Sequence, residues 1–197
     1  KTPRRQRQMC IRDSPYPTFV KRVESQNLHG LSSADVIIIT NSKFSQSAAT
    51  LKTFHEQEGL SVQVVTDQQI YNEFSSGMRD ATALKQFLRM FYVRGSGIPN
   101  QIPKYCVLIG DGTYDNRNIL DHGNNLLPVF ESQESLSKVN TFATDDFFAI
   151  LSDGGSMRNT DLLNIAIGRL TVSTEQEAMD MVQKIIQLSP SNGPKRS

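Results

Sequence analysis

Four short apolar runs along the chain have the pattern of buried β-strands. Each is continuous and rich in aliphatic residues, which is typical of strands covered on both faces of a parallel sheet. The predicted strands are 35–40 (DVIIIT), 61–66 (SVQVVT), 104–109 (KYCVLI) and 163–167 (LNIAI). The sequence therefore predicts a sheet whose strands are mostly parallel.

Between these runs, apolar residues recur at the spacing of amphipathic helices. The first helix carries the stripe Phe44, Ala48, Leu51 and Phe54 and stops at Gly59. Further helices are predicted to begin at Asp67 and Asp80, and a capping box of Thr174 and Glu177 opens the last one. Strands and helices alternate, and right-handed crossovers make such strands parallel. We therefore predict an α/β, three-layer sandwich of the Rossmann or flavodoxin-like type.

Residues 111–162 are less regular than the rest. They contain a polar loop rich in Asp and Asn, an extended piece at 126–130, and an acidic stretch at 141–155. We expect hairpin or edge pieces here.

The two ends of the chain differ from its centre. Residues 1–14 carry a net charge of +4 and include RQRQMCIRDS, which resembles translated sequencing-adapter sequence and has no apolar periodicity. We predict that residues 1–14 are a non-native or disordered segment, 15–188 one domain, and 189–197 a tail or truncation point. Without the first segment the net charge is −3, so we predict no nucleic-acid partner.

The overall composition is typical of a globular domain. The chain has 197 residues, of which 38% are hydrophobic, enough for a substantial core. Its longest apolar runs fall far below the roughly 18 residues of a membrane span, so no span is predicted. The two cysteines, Cys10 and Cys106, lie far apart and suggest neither a disulfide framework nor a clustered metal site.

The turn after the third strand, GDGTYDNRN at 110–118, is the first candidate for chemistry, because ligands of open α/β sheets gather at the carboxyl ends of the strands. It lacks the glycine-rich phosphate-binding motifs. It also resembles half of a phosphatase motif, but Ile109 stands where the nucleophile is needed. A phosphate-binding loop and a phosphatase site are therefore both disfavoured.

A calcium loop is more compatible with this turn. Asp111 and Asp115 offer hard oxygens, and Asp145 and Asp146 could join them in space. We therefore hold these four acids as candidate ligands of a structural calcium ion, with no cofactor required. The alternative is that Gly110 and Gly112 take positive φ while the carboxylates accept hydrogen bonds from turn amides.

A catalytic cysteine within the chain is disfavoured. Cys106 lies inside the third strand with three apolar residues still to follow, so it is predicted to be a buried, inert thiol. The three histidines, His29, His55 and His122, lie in contexts that give no sign of a dyad with it.

Several stretches together resemble the gingipain-type cysteine peptidases, especially the type IX secretion system sortase (PorU-like) branch found in Bacteroidetes. The segments are VKRVESQNLHGLSSADVIIIT at 20–40, the stretch 59–92, PKYCVLIGDGTYD at 103–115, FATDDFFAIL at 142–151 and DLLNIAIGRLTVST at 161–174. Their order and spacing carry the resemblance over most of residues 19–188.

The resemblance implies a caspase-related peptidase domain of two subdomains, of which this chain corresponds to the first. The family's catalytic His and Cys belong to the second, and its Gly-His-Gly motif does not occur in this sequence. No catalytic residue is therefore predicted here, and the chain alone should be inactive. The implied partners are a protein or peptide substrate and the catalytic subdomain of the same chain.

The resemblance also implies a secreted or outer-membrane surface location and processing of the carboxy-terminal signals of cargo proteins. The alternative function is a non-catalytic binding module on a flavodoxin-like scaffold. In either case we expect an exposed apolar edge near the last strand and helix.

Overall fold

A four-stranded parallel sheet lies at the centre of the chain, in the order β2-β1-β3-β6. The computed structural model describes residues 19, 22–98, 100–116, 119–120, 123, 125–132, 136–137, 139–157 and 161–189. In chain order the strands are β1 Val36–Thr40, β2 Val62–Thr66, β3 Tyr105–Ile109, β4 Phe130–Glu131, β5 Ala143–Thr144 and β6 Ala166–Leu170. The short β4 and β5 pair antiparallel, apart from the main sheet.

Five α-helices cover the two faces of the sheet in the described residues. They are α1 Ser45–Gln57, α2 Asp67–Phe74, α3 Ala81–Gly95, α4 Asp146–Ala149 and α5 Glu175–Leu188. Apolar residues of α1 and α5 pack with Val36 and Ile38 on one face. Those of α2, α3 and α4 pack with Ile37 and Ile39 on the other. The predicted three-layer α/β sandwich is confirmed.

Local sequence explains where most helices begin. The Asp80 side chain accepts from the Thr82 amide at the start of α3, and Thr174 with Glu177 forms the predicted capping box of α5. Gly59, just after the end of α1, has a φ of +87°, the left-handed conformation with which a helix commonly ends. The prediction for α2 was one residue off, because Thr66, in a capping box with Gln69, is the cap and Asp67 is already helical.

The predicted strand at 163–167 was wrong in its position. The strand is Ala166–Leu170, and Leu163 is 45% exposed. In the described sheet β6 pairs on one side only, with β3, so it does not need a continuous apolar run. The extended piece expected at 126–130 is a strand only at Phe130–Glu131.

The two segments predicted to flank the domain, 1–14 and 189–197, lie outside the described residues except for Ser189. No helix of the described part is long and apolar enough to cross a membrane.

Candidate functional site

The carboxyl ends of β1 and β3 meet where the strand order reverses, which is where open α/β sheets bind ligands. In this chain Leu126 and Leu127 fill that position, and both are buried. Their amides donate to the Asp111 carbonyl at 2.9 Å each. The Asn41 Nδ2 lies 3.4 Å from the Leu126 carbonyl oxygen. The crevice is therefore occupied by the chain's own backbone.

The two glycines of the turn serve different purposes. Gly110 has φ of +139°, in agreement with the prediction. Gly112 has no positive φ, so that part of the prediction was wrong. A Cβ at Gly112 would lie 2.6 Å from the Leu127 carbonyl oxygen and 2.6 Å from Val129 Cγ1. Gly112 is thus required for close approach of two backbone segments.

The carboxylate of Asp111 is used within the same turn. Its Oδ1 accepts from the Gly112 amide at 2.9 Å, and the Asp111 amide donates to the Val172 carbonyl at 2.9 Å. This is the arrangement expected of a turn that leads a buried strand out of its sheet.

A buried arginine, which the sequence analysis did not identify, holds this edge together. Arg169 lies on β6, and its side chain is 6% exposed. Its Nε donates to Asp145 Oδ2 at 2.8 Å and its Nη2 to Asp145 Oδ1 at 2.7 Å. Its Nη1 also donates to the Gly110 carbonyl at 3.0 Å, and its Nη2 donates to the Pro128 carbonyl at 2.9 Å. One guanidinium thus joins β6, the turn after β3, the segment that fills the crevice and the start of α4.

The four acids predicted as calcium ligands have different surroundings. Asp145 pairs with Arg169, and Asp111 caps its own turn. The Asp115 carboxylate accepts from the amides of Ile119 and Leu120 at 2.8 and 2.7 Å. Asp146 is exposed at the first turn of α4.

Within the described ranges, no three His, Cys, Asp or Glu side chains are grouped so that they could hold a metal ion. The calcium site stays a prediction of the sequence. A thermal melt with and without chelator tests it, and an unchanged midpoint contradicts it.

Cys106 is the buried thiol that its sequence context predicts. It is 2% exposed, and burial, followed by the nearby Asp145 carboxylate, raises its pKa far above the usual range. His29 Nδ1 lies 2.7 Å from Glu73 Oε2, and His55 Nδ1 lies 3.4 Å from Glu58 Oε2. His122 lies outside the described residues. Both described histidines therefore lie beside carboxylates and not beside the thiol, and the buried Nδ1 of His55 has no hydrogen-bond partner among the described residues.

Asp67, directly after β2, is a buried acid that the sequence did not single out as a functional residue. Asp67 is 7% exposed, and its burial raises its pKa, while amide hydrogen bonds and Arg79 act in the opposite sense. Burial also raises the pKa of Tyr71, helped by the Asp67 carboxylate. The only signal in the sequence that could have indicated this buried acid is its position directly after an apolar strand.

Comparisons with known proteins agree with this architecture. A sequence model of peptidase family C25 matches residues 29–196. No sequence among the curated proteins matches the chain. The crystal structure of dimeric latent PorU from Porphyromonas gingivalis is similar, with a TM-score of 0.74 and 36% identity over 84% of this chain and 16% of that chain.

Two gingipain structures are more distant. That of the Arg-specific cysteine proteinase gingipain R (RgpB) has a TM-score of 0.51 and 15% identity, over 85% of this chain and 30% of that chain. The complex of Porphyromonas gingivalis RgpB pro- and mature domains has a TM-score of 0.50 and 15% identity, over 77% and 28%. At this identity they show the fold alone. The chain spans less than a third of each of these three proteins.

Proposed function

Because the chain belongs to peptidase family C25, we propose that it is the amino-terminal subdomain of a gingipain-like cysteine endopeptidase. In this proposal the whole enzyme is the type IX secretion sortase, which removes carboxy-terminal signals from secreted cargo and transfers the cargo to a surface anchor. The observation that carries the proposal is 36% identity to PorU over 84% of the chain.

The catalytic His and Cys of the enzyme lie beyond this chain. Two observations support this. Cys106 is buried inside the sheet, and the two described histidines lie beside Glu73 and Glu58 and not beside the thiol. A thiolate nucleophile needs an imidazole within hydrogen-bond reach and access to the substrate. The role of this subdomain is therefore to support an active site whose reacting groups belong to the following subdomain.

The following subdomain contacts the carboxyl edge of the sheet in this proposal. The loop after β3 presents three apolar side chains to solvent there. Tyr114 is 73%, Ile119 74% and Leu120 51% exposed. Exposed apolar side chains close together in sequence fit a surface that another part of the protein covers. The enzyme acts on protein or peptide substrates at the outer-membrane surface or after secretion.

Extending the gene beyond Ser197 tests the proposal. The longer protein should contain a Gly-His-Gly motif and a later Cys at the end of a strand, and it should cleave a cargo protein at its carboxy-terminal signal. Replacing that later Cys with Ser should abolish cleavage. The matched control, Cys106→Ser, should retain cleavage, because Cys106 only packs in the core. A stop codon soon after Ser197 contradicts the proposal and favours the binding module.

A further inference from the structure

Two adjoining cavities flank the carboxyl-terminal half of α3, on the side of the molecule where α3 leads back to the start of β3. The smaller, of about 280 Å³, is lined by Leu31, Ser32, Ser33, Phe91, Arg94 and Gln101. The larger, of about 460 Å³, is lined by residues that include His29, Phe74, Met90, Val93 and, again, Arg94. We call the two together the α3 groove. It lies at the opposite edge of the sheet from the candidate functional site.

The smaller cavity offers hydrogen-bond donors that the rest of the described chain does not use. The Ser33 Oγ is buried and has no hydrogen-bond partner. Arg94 is exposed in the last turn of α3 and forms no ion pair with any described residue. Gln101 adds an exposed side-chain amide. A guanidinium, a hydroxyl and an amide together are suited to a carboxylate.

The wall that carries Gln101 depends on a glycine. A Cβ at Gly95 would lie 2.6 Å from the backbone carbon and oxygen of Gln101. The glycine lets the turn at the end of α3 fold down onto the helix. Arg94 and Gln101 are thereby held on two sides of one cavity.

The larger cavity provides an apolar surface. The His29 ring stacks on Phe74 with centroids 4.5 Å apart, and Val93 is 52% exposed beside the half-buried Met90. Glu73 also lines this cavity. Both of its oxygens are already used: Oε1 accepts from Leu28 N at 2.7 Å, and Oε2 from His29 N at 3.2 Å. The Arg89 guanidinium, which also lines this cavity, pairs with Asp153. Among the described lining residues, the unpaired charge is therefore that of Arg94, which is positive.

We propose that the α3 groove binds an extended peptide segment, with an acidic side chain at Arg94, Ser33 and Gln101 and a neighbouring apolar side chain against Met90 and Val93. The charge complementarity at Arg94 selects the acidic residue. Because Arg94 lines both cavities, the apolar residue of the peptide lies next to its acidic residue. This site lies away from the carboxyl edge, so it does not depend on the proposed peptidase function.

Titration of the 197-residue chain with fluorescent peptides tests the proposal. The probes are an extended hexapeptide with a central Glu-Leu pair and the same peptide with Gln-Leu. We expect the Glu peptide to bind about tenfold more tightly, the size of a charge-assisted hydrogen bond. The Arg94→Gln variant should bind both peptides equally, and Ser33→Ala should weaken the Glu peptide by a smaller factor.

The matched control is Arg79→Gln, because Arg79 is also exposed and lines neither cavity. It should bind like the wild type. Circular dichroism melts of each variant confirm that it is folded. Equal binding of the two peptides by the wild type, an Arg94→Gln variant that still prefers the Glu peptide, or no binding of either peptide at millimolar concentration would overturn the proposal.

Discussion

The guanidinium of Arg169 and the carboxylate of Asp145 form a two-point ion pair across 24 residues of chain, with N–O distances of 2.8 and 2.7 Å. The arginine side chain is almost fully buried, whereas that of Asp145 is 21% exposed. Since the remaining donors of Arg169 bond to backbone carbonyls, the pair fixes the loops at the carboxyl edge relative to the sheet.

Breaking this pair should destabilise the chain strongly. Arg169→Met leaves a largely buried carboxylate and the Gly110 and Pro128 carbonyls without their donor. We expect the free energy of unfolding to fall by about 3 kcal/mol. Urea denaturation measures it. Arg169→Lys should also be destabilising, since an ammonium cannot donate in the same two-point geometry.

A double-mutant cycle isolates the ion pair itself. Asp145→Asn and Arg169→Met together should cost less than the sum of the two single changes, with a coupling of about 2 kcal/mol. A coupling close to zero would show that the two side chains contribute independently.

Gly112→Ala should destabilise the chain because the new methyl group overlaps the Leu127 carbonyl oxygen. Overpacking of this kind costs about 1 to 3 kcal/mol. Gly168→Ala is the matched control, since a Cβ there meets nothing within 4 Å. We expect Gly168→Ala to leave the melting temperature unchanged or slightly raised. Equal effects of the two changes contradict the close approach at Gly112.

The Glu73 carboxylate should give the chain an acid-dependent stability. Burial opposes its ionisation and is the largest single effect. Hydrogen bonds from Leu28, Gln26 and His29 together outweigh it and lower the pKa of Glu73 to about 2. A carboxylate with a lowered pKa stabilises the fold above its ordinary pKa of 4.5, and this contribution is lost as the pH falls towards 2.

The Glu73→Gln variant tests this linkage. At pH 7 it should be less stable than the wild type by about 1 kcal/mol, because charge-assisted hydrogen bonds are lost. Between pH 4.5 and 2 its stability should fall less steeply, so that the two proteins converge. Urea denaturation at a series of pH values measures the difference. Parallel curves over that range would count against the role of Glu73.

Cys106 should be chemically inert in the folded chain. In a Cys10→Ser background, iodoacetamide should label Cys106 only after urea is added, since the thiol is buried and its pKa is raised. Mass spectrometry measures the labelled fraction. Rapid, stoichiometric labelling without urea contradicts its placement inside the sheet.

The sequence predicted the layers of this fold well, because they follow from local patterns. The runs at β1, β2 and β3 are apolar and β-branched, and caps such as Asp80 and Thr174 satisfy the first amides of their helices. The order in which strands and helices alternate then leaves few topologies open.

The site at the carboxyl edge could not be predicted in the same way. The apolar pattern placed the last strand at 163–167, but β6 is an edge strand of the described sheet and its register is set by pairing with β3. Sequence reasoning also treats a lone Arg as solvated. The burial of Arg169 follows from its pairing with Asp145, which lies in an irregular segment with no local signal of contact.

Our central proposal is that this chain supports the active site of a cysteine peptidase whose reacting His and Cys lie in another part of the enzyme. The most direct measurement is a peptidase assay on the purified 197-residue chain, beside its Cys106→Ser variant. We predict that neither protein hydrolyses peptide substrates. Hydrolysis by the wild-type chain that is lost on changing Cys106 to Ser would contradict the claim.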